Sequence, residues 1–201
     1  MGLREDKKRE QRQKIFDQAI ELFRERGFEE TRVRDIVEPL RISEATFFNY
    51  FPTKLAILEA YANDVAKLFV GFVDDEARNE AVPVADRLRR LIRILGGGFT
   101  TDPDLMYLLM AKTPFFFGVD AKQRVQDKQM MIKLGELFRQ GQLAGEIRTD
   151  VDPAQLGELF VASFVLTIAN SLVGWWETES LESRLDHALS VFLEGCRRTV
   201  L

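Results

Sequence analysis

The sequence predicts an all-helical fold of about nine helices, in which a short unit of three helices precedes a larger helical domain. Apolar residues recur at spacings of three and four along nearly the whole chain, and no stretch alternates convincingly between apolar and polar residues as a strand would. Glycine, proline and short polar residues divide this pattern into separate helices. The 201 residues are 46% hydrophobic and 30% charged, which suits a folded core and excludes a disordered chain.

The N-terminal unit is predicted from three short patterns. A first helix runs over residues 9–27 and ends at a glycine, which readily takes the left-handed backbone found at helix ends. A short helix over residues 32–40 follows, with Thr31 as its N-cap. Ser43 caps a second short helix over residues 44–50, and the proline that follows prevents its simple continuation.

Six further helices are predicted after the N-terminal unit, so we divide the chain into residues 1–54 and 55–201. A long helix starts near Thr53 and runs past Phe72. We expect the three glycines at 96–98 to weaken or end the next helix. Proline and capping residues place the remaining helices near residues 83–96, 102–112, 120–141, 153–176 and 181–200.

Charge and cysteine content bear on where the protein acts. Residues 1–54 carry 12 Lys and Arg against 11 Asp and Glu, whereas the remainder carries 16 against 21. This modest asymmetry favours the N-terminal part as the one that faces a polyanion, and a mixed solvated surface is an equal alternative on charge alone. A single cysteine, Cys196, allows no internal disulfide. The first residues are charged, and the longest uncharged stretch is shorter than the ~20 residues of a membrane span. We therefore expect a cytoplasmic protein without membrane contact.

Residues 31–54 have the features of a helix-turn-helix. Two short helices joined by a tight turn allow one helix to brace the other, which stays exposed enough to enter the major groove of DNA. The sequence from Leu22 to Leu58 resembles the DNA-binding domain of the TetR family of transcriptional regulators. The resemblance rests on Leu22, Phe23, Gly27, Phe28, Thr31, Val33, Arg34, Asp35, Ile36, Ile42, Ser43, residues 46–54 and Leu58.

The resemblance implies which residues meet DNA. Bases would face Arg34, Glu44, Ala45 and Phe48, and the DNA backbone would face Thr46, Asn49, Tyr50 and Lys54. With Ser43, these residues form the predicted DNA-binding set.

Three residues depart from the family's pattern. Arg41 replaces the usual glycine of the turn, Phe48 replaces a tyrosine, and Pro39 is unusual in the bracing helix. These changes bear on operator affinity and sequence more than on the fold. The basic residues near the N-terminus, Lys7, Lys8, Arg9 and Arg12, are either an arm that reaches DNA or a solvated tail.

The second domain is rich in aromatic and methionine side chains, which suit an adaptable apolar cavity as well as ordinary core packing. Few charges lie among them, so we expect a hydrophobic or aromatic small-molecule ligand. The predicted ligand-binding residues are Phe69, Phe72, Phe99, Met110, Phe116, Met130, Leu134 and Phe164.

The helix over residues 153–176 is apolar on nearly all sides and must be covered all round. With the last helix it resembles the pair that forms a four-helix bundle between TetR-family subunits, although burial within one subunit is the alternative. The predicted dimer contacts are Phe160, Phe164, Ile168, Leu172, Leu185, Leu189 and Phe192.

These observations predict a ligand-responsive repressor, whose homodimer binds a palindromic operator and releases it when a hydrophobic molecule binds. The alternative is a helical small-molecule-binding protein with a degenerate DNA module. We expect no enzyme, metal or cofactor, because His187 is the only histidine, no histidine–cysteine cluster exists, and phosphate-loop glycine patterns are absent. An activator and a repressor are not distinguishable from sequence.

Overall fold

The computed structural model describes residues 2–113, 121–174 and 179–197, and for residues 121–127 it describes the backbone only. Within these ranges the chain forms nine α-helices, in agreement with the predicted all-helical class. They are α1 (Leu3–Arg26), α2 (Val33–Leu40), α3 (Glu44–Tyr50), α4 (Leu55–Arg78), α5 (Val84–Thr101), α6 (Pro103–Lys112), α7 (Ala121–Leu143), α8 (Pro153–Leu172) and α9 (Leu181–Cys196).

Helices α1, α2 and α3 pack around a small core together with the start of α4. Ile15, Ile36, Phe47 and Phe51 are completely or almost completely buried there. The rings of Phe47 and Phe51 lie 6.2 Å apart. Burying aromatic side chains of this size is the main stabilising contribution that so small a unit has.

Helix α1 begins at Leu3, earlier than the predicted start near Arg9. Its first turns are polar, and pairs of opposite charge three and four residues apart line their surface, such as Asp6 with Arg9 and Glu10 with Lys14. The basic residues near the N-terminus therefore lie on a helix. The end of α1 at Gly27 is as predicted, with a φ of 84°.

Thr31 was predicted to cap α2, and this is wrong. Its buried hydroxyl donates to the carbonyl oxygens of Gly27 at 2.7 Å and Leu22 at 3.3 Å, and so satisfies acceptors at the end of α1. The start of α2 is held instead by Asp35, whose carboxylate accepts a hydrogen bond from the backbone N–H of Arg32 at 2.8 Å.

The three glycines at 96–98 do not end α5, which continues to Thr101. A side chain at Gly96 would meet Leu185 Cδ1 at 2.8 Å, so this glycine permits close packing of α9. Nothing lies within 4 Å of a Cβ placed at Gly97 or Gly98. Gly96 therefore allows α9 to pack closely, Gly97 and Gly98 leave open space beside α5, and none of the three ends the helix.

Helices α7, α8 and α9 form the centre of the second domain. Helices α7 and α8 approach closely at Gly135 and Gly157, whose missing side chains would contact the facing helix at 3.3–3.4 Å. Phe138, Phe160 and Phe192 contact one another edge to face, with ring centroids 5.6–5.9 Å apart.

Helix α8 is shorter than predicted. It begins as expected at Pro153, where the Asp152 carboxylate accepts from the N–H groups of Ala154 and Gln155. It ends at Leu172, before a glycine at 174 with a φ of 71°, and the predicted end at Trp176 lies outside the described residues.

Candidate nucleic-acid interface and ligand cavity

The turn between α2 and α3 places the second helix at the surface. Arg41 ends α2 with φ 54° and ψ 42°, and it is the one non-glycine residue with a positive φ in the part of the chain that the structure describes. Left-handed backbone costs an ordinary residue roughly 1–2 kcal/mol. The turn thus needs the conformation that glycine adopts freely, and arginine adopts it under strain.

Helix α3 is held from beneath and presents an open face. Ser43 is its N-cap as predicted, accepting from the N–H of Thr46 at 3.1 Å, and the two hydroxyls are 2.9 Å apart. The side chains of Glu44, Ala45 and Asn49 are exposed. An exposed, capped helix beside a tight turn has the geometry of a recognition helix.

Two further residues of the predicted set are exposed. Phe48 is 49% exposed, although its ring packs edge to face on buried Phe47 with centroids 5.3 Å apart. The exposed Arg34 on α2 has a single loose ion pair, with Glu38 at 4.0 Å. Its guanidinium is therefore available to a partner.

Tyr50 and Lys54 are less accessible than predicted. Tyr50 is half-buried and packs against the core. The Lys54 ammonium donates to the carbonyl oxygens of Phe28 and Glu29 and, at 2.8 Å, of Thr31, and lies 4.2 Å from the centroid of the Phe28 ring. Burial lowers the pKa of Lys54.

That Lys54 faces the DNA backbone stays a prediction, and in the chain without DNA its ammonium is bound by carbonyl oxygens. An ammonium has three donors, and all three are used here by carbonyl oxygens. Lys54 ties the α1–α2 loop to the start of α4, a role that its sequence position did not indicate.

A cavity of about 660 Å³ opens between α4, α5, α6 and α7. This volume is in the range of small-molecule sites. Four of the predicted ligand-binding residues, Phe69, Phe72, Phe99 and Met130, line it. Gly97 and Gly98 also line it.

Other predicted ligand-binding residues lie elsewhere. Leu134 and Phe164 are buried in the core, and Met110 packs against the core rather than lining the cavity. Each lies on an apolar face, and the sequence pattern does not separate a core face from a cavity wall. Phe116 lies outside the described residues. The lining also includes residues outside the predicted set: Arg24, Tyr61, Val65, Leu68, Ile94, Leu95, Asp102 and Met106.

One end of the cavity is polar. Arg24, in the last turns of α1, donates from Nε to Asp102 at 2.5 Å, between α5 and α6. The hydrogen bond to Asp102 raises the pKa of Arg24, and the guanidinium also interacts with the Tyr61 hydroxyl. Burial raises the pKa of Tyr61, so its hydroxyl stays protonated at neutral pH. No local sequence pattern signals this cluster.

The predicted dimer contacts are mostly core residues, which corrects that prediction. Phe160, Phe164, Ile168, Leu185 and Leu189 are at most 2% exposed in the single chain, because they pack between α5, α7, α8 and α9. Leu172 and Phe192 are half-buried.

The opposite face of α8 carries exposed apolar residues instead. Leu159, Ala162, Leu166 and Val173 follow one another at spacings of three, four and seven, and we call them the α8 stripe. Val191 is similarly exposed on α9. Within the described ranges, α8 also has the length and mean hydropathy, 1.3, of a membrane span. An exposed apolar face of this kind marks a site of contact with another protein or a membrane.

Comparison with known proteins bears on the whole arrangement. Residues 15–61 match the TetR_N family, bacterial regulatory proteins of the tetR family. The chain is 36% identical over 64 residues to the HTH-type transcriptional regulator LuxR of Vibrio harveyi, a match that spans 32% of this chain and 31% of LuxR. It is 27% identical over 169 residues to the uncharacterized HTH-type transcriptional regulator YdgC of Bacillus subtilis, covering 79% of this chain and 83% of that protein.

Among solved structures, the fold resembles FadR of Thermus thermophilus, a TetR-family transcriptional repressor in complex with lauroyl-CoA. The TM-score is 0.70 and the identity 26%, over 94% of this chain and 98% of FadR. The similarity therefore extends over nearly the whole chain.

Proposed function

We propose that this chain is a TetR-family repressor, whose homodimer binds a palindromic operator through α3 and releases it when an apolar molecule fills the cavity. The observation that carries the proposal is the open face of α3, which is braced by a buried core and joined through α4 to the cavity wall.

Sequence-specific contacts in this proposal come from side chains that reach base edges. Arg34 is suited to a bidentate guanine contact, worth roughly 1–3 kcal/mol of discrimination. Glu44, Ala45 and Phe48 lie on the same open surface. In this proposal Ser43, Thr46, Asn49 and Tyr50 contact the DNA backbone, and such contacts position a protein without reading sequence.

Dimerisation in this proposal uses the α8 stripe and Val191 rather than the buried residues of α8 and α9. A second copy related by a two-fold axis would place the same apolar face against itself. The proposal accounts for the apolar side chains at 55–62% exposure on Leu159, Leu166, Val173 and Val191. A two-fold dimer also matches the symmetry of a palindromic operator.

Ligand release in this proposal depends on α4. Ile57 and Leu58, in its first turn, are buried against the DNA-binding unit, whereas Val65 and Phe69 face the cavity. A molecule that binds best when α4 is shifted would separate the two recognition helices from their half-sites. The apolar walls favour an aliphatic or aromatic ligand, and the acyl-CoA bound to the related FadR is a ligand of this kind.

The DNA-binding part of the proposal is tested by fluorescence anisotropy with a duplex covering the region upstream of the protein's own gene. Asn49→Asp places a negative charge on the open face of α3, so we expect at least a tenfold loss of affinity, because the new carboxylate is repelled by the DNA phosphates. Asn79→Asp, an exposed change at the end of α4, is the matched control and should bind like the wild type. Equal affinity of both variants and the wild type would contradict the proposal.

A helical ligand-binding protein with a degenerate DNA module remains the second candidate, favoured by the strained Arg41 turn and the exposed Phe48. It predicts ligand binding in the cavity without specific binding of the upstream duplex. The same anisotropy titration separates the two candidates.

A further inference from the structure

The charge at one end of the cavity indicates the chemistry of the ligand. Most of the described lining is apolar, and the two charged side chains in it are Arg24 and Asp102, which face each other across 2.5 Å. A molecule that fills the apolar part and extends to this end would meet an ion pair. Its head group must therefore compete with one of the two partners.

The surroundings of the pair favour an anionic head group. Asp102 has a second partner, because it also caps α6 by accepting from the N–H of Leu105 at 3.4 Å. The positive end of the α6 dipole stabilises this carboxylate further. Asp102 therefore stays satisfied if it loses Arg24.

Arg24, in contrast, has donors to offer. Only Nε is used by Asp102, and a guanidinium has five N–H donors in a planar fork that fits a carboxylate. The protonated Tyr61 hydroxyl beside it is a further donor to an anion. A cationic head group would find only the carboxylate and would be repelled by Arg24.

The same ion pair joins the two parts of the chain. Arg24 lies on α1, within the DNA-binding unit, and Asp102 starts α6 in the second domain. A second, more exposed pair between Glu29 and Lys112, at 2.7 Å, bridges the same two parts. Opening the Arg24 pair would therefore loosen the attachment of the DNA-binding unit.

We propose that Arg24 binds the carboxylate of an amphipathic acid whose hydrocarbon chain fills the cavity, and that the ligand displaces Asp102 and so opens the α1–α6 ion pair. This inference rests on the proposed repressor function, because it names the head group of the effector and the contact that the effector breaks.

Isothermal titration calorimetry of the full-length protein with decanoate, 1-decanol and decyltrimethylammonium tests the head group. We expect decanoate to bind at least about tenfold more tightly than decanol, because only the carboxylate forms charge-assisted hydrogen bonds with Arg24. The cation should bind weakest of the three. Equal affinities for decanoate and decanol would overturn the inference, as would a preference for the cation.

Substitutions at Arg24 test the residue. Arg24→Gln should abolish the preference for decanoate over decanol, and Arg24→Lys, which keeps the charge without the fork, should be intermediate. Arg26→Gln, on the same exposed end of α1 but outside the cavity lining, is the matched control and should keep the preference. Retention of the preference in Arg24→Gln would overturn the inference, and thermal unfolding of each variant shows whether it is folded.

Asp102→Asn tests the displacement. Asparagine still caps a helix but does not form an ion pair, so it does not compete with the ligand for Arg24. Decanoate should therefore bind this variant several-fold more tightly than it binds the wild type. Unchanged or weaker binding would contradict the displacement. Fluorescence anisotropy of operator binding by the ligand-free wild type distinguishes failure of this inference from failure of the proposed function. If the wild type does not bind an operator, the repressor function is contradicted. If it binds an operator but shows no preference for a carboxylate, only this inference is contradicted.

Discussion

Arg41 shows how a single residue limits the stability of the DNA-binding unit. It occupies a left-handed position at the turn that sets the angle between α2 and α3. The side chain is exposed, so that no buried contact compensates for the backbone strain. The strain therefore has a measurable consequence.

Arg41→Gly should raise the free energy of unfolding by about 0.5–1 kcal/mol, because roughly 1–2 kcal/mol of left-handed strain outweighs the ~0.4–1 kcal/mol that glycine adds to the entropy of the unfolded chain. Urea unfolding at fixed protein concentration measures the change. Arg41→Ala removes the charge and keeps the strain, so it should show no such gain. A glycine variant no more stable than the alanine variant would refute the account of the turn.

Residues with local partners were predictable from sequence, and residues with distant partners were not. Ser43 caps α3 through an N–H three residues away, and Gly27 ends α1 through its own backbone. Lys54, in contrast, donates to a carbonyl 26 residues earlier, and Arg24 pairs with a carboxylate 78 residues later. Such pairs depend on how helices pack, which the helical period alone does not specify.

At the scale of elements, the glycines of α5 have different surroundings. Gly96 faces Leu185 on α9, whereas Gly98 lines the cavity with free space around it. The sequence marked the position of the glycines but not their surroundings, so helix termination was predicted where the helix in fact continues. The two positions should therefore respond differently to the same substitution.

Gly98→Ala should raise the free energy of unfolding by about 0.5–1 kcal/mol, since alanine favours a helix by ~1 kcal/mol over glycine. Gly96→Ala should bring no gain, because the new Cβ meets Leu185 at 2.8 Å and overpacking costs ~1–3 kcal/mol. Urea unfolding of both variants compares the two positions directly. A larger gain at position 96 than at position 98 would be incompatible with the packing described.

At the scale of the whole molecule, the sequence predicted correctly that α8 is apolar, but it did not predict which face of α8 is buried within the chain and which is exposed. The helical period groups Phe160, Phe164 and Ile168 on one face, and the structure buries that face within the chain. The exposed α8 stripe lies on the opposite side, where sequence alone showed only further apolar residues. Which face meets a partner depends on how α5, α7 and α9 pack.

Leu159→Glu combined with Leu166→Glu should convert the proposed dimer into a monomer in dilute solution, because burying two unpaired carboxylates in an interface is strongly unfavourable. Light scattering after size-exclusion chromatography measures the mass. Ile132→Glu, at an exposed apolar position on α7, is the control and should leave the mass unchanged. A dimeric double variant would exclude the α8 stripe as the interface.

Selection of duplexes from a random-sequence DNA library by the purified wild-type protein tests the central claim, that two copies of α3 read DNA from a two-fold dimer. The account predicts enrichment of an inverted repeat whose half-sites are about one helical turn apart, ~34–36 Å or a multiple of it. Enrichment of a single half-site, or of no sequence at all at moderate salt, would contradict it.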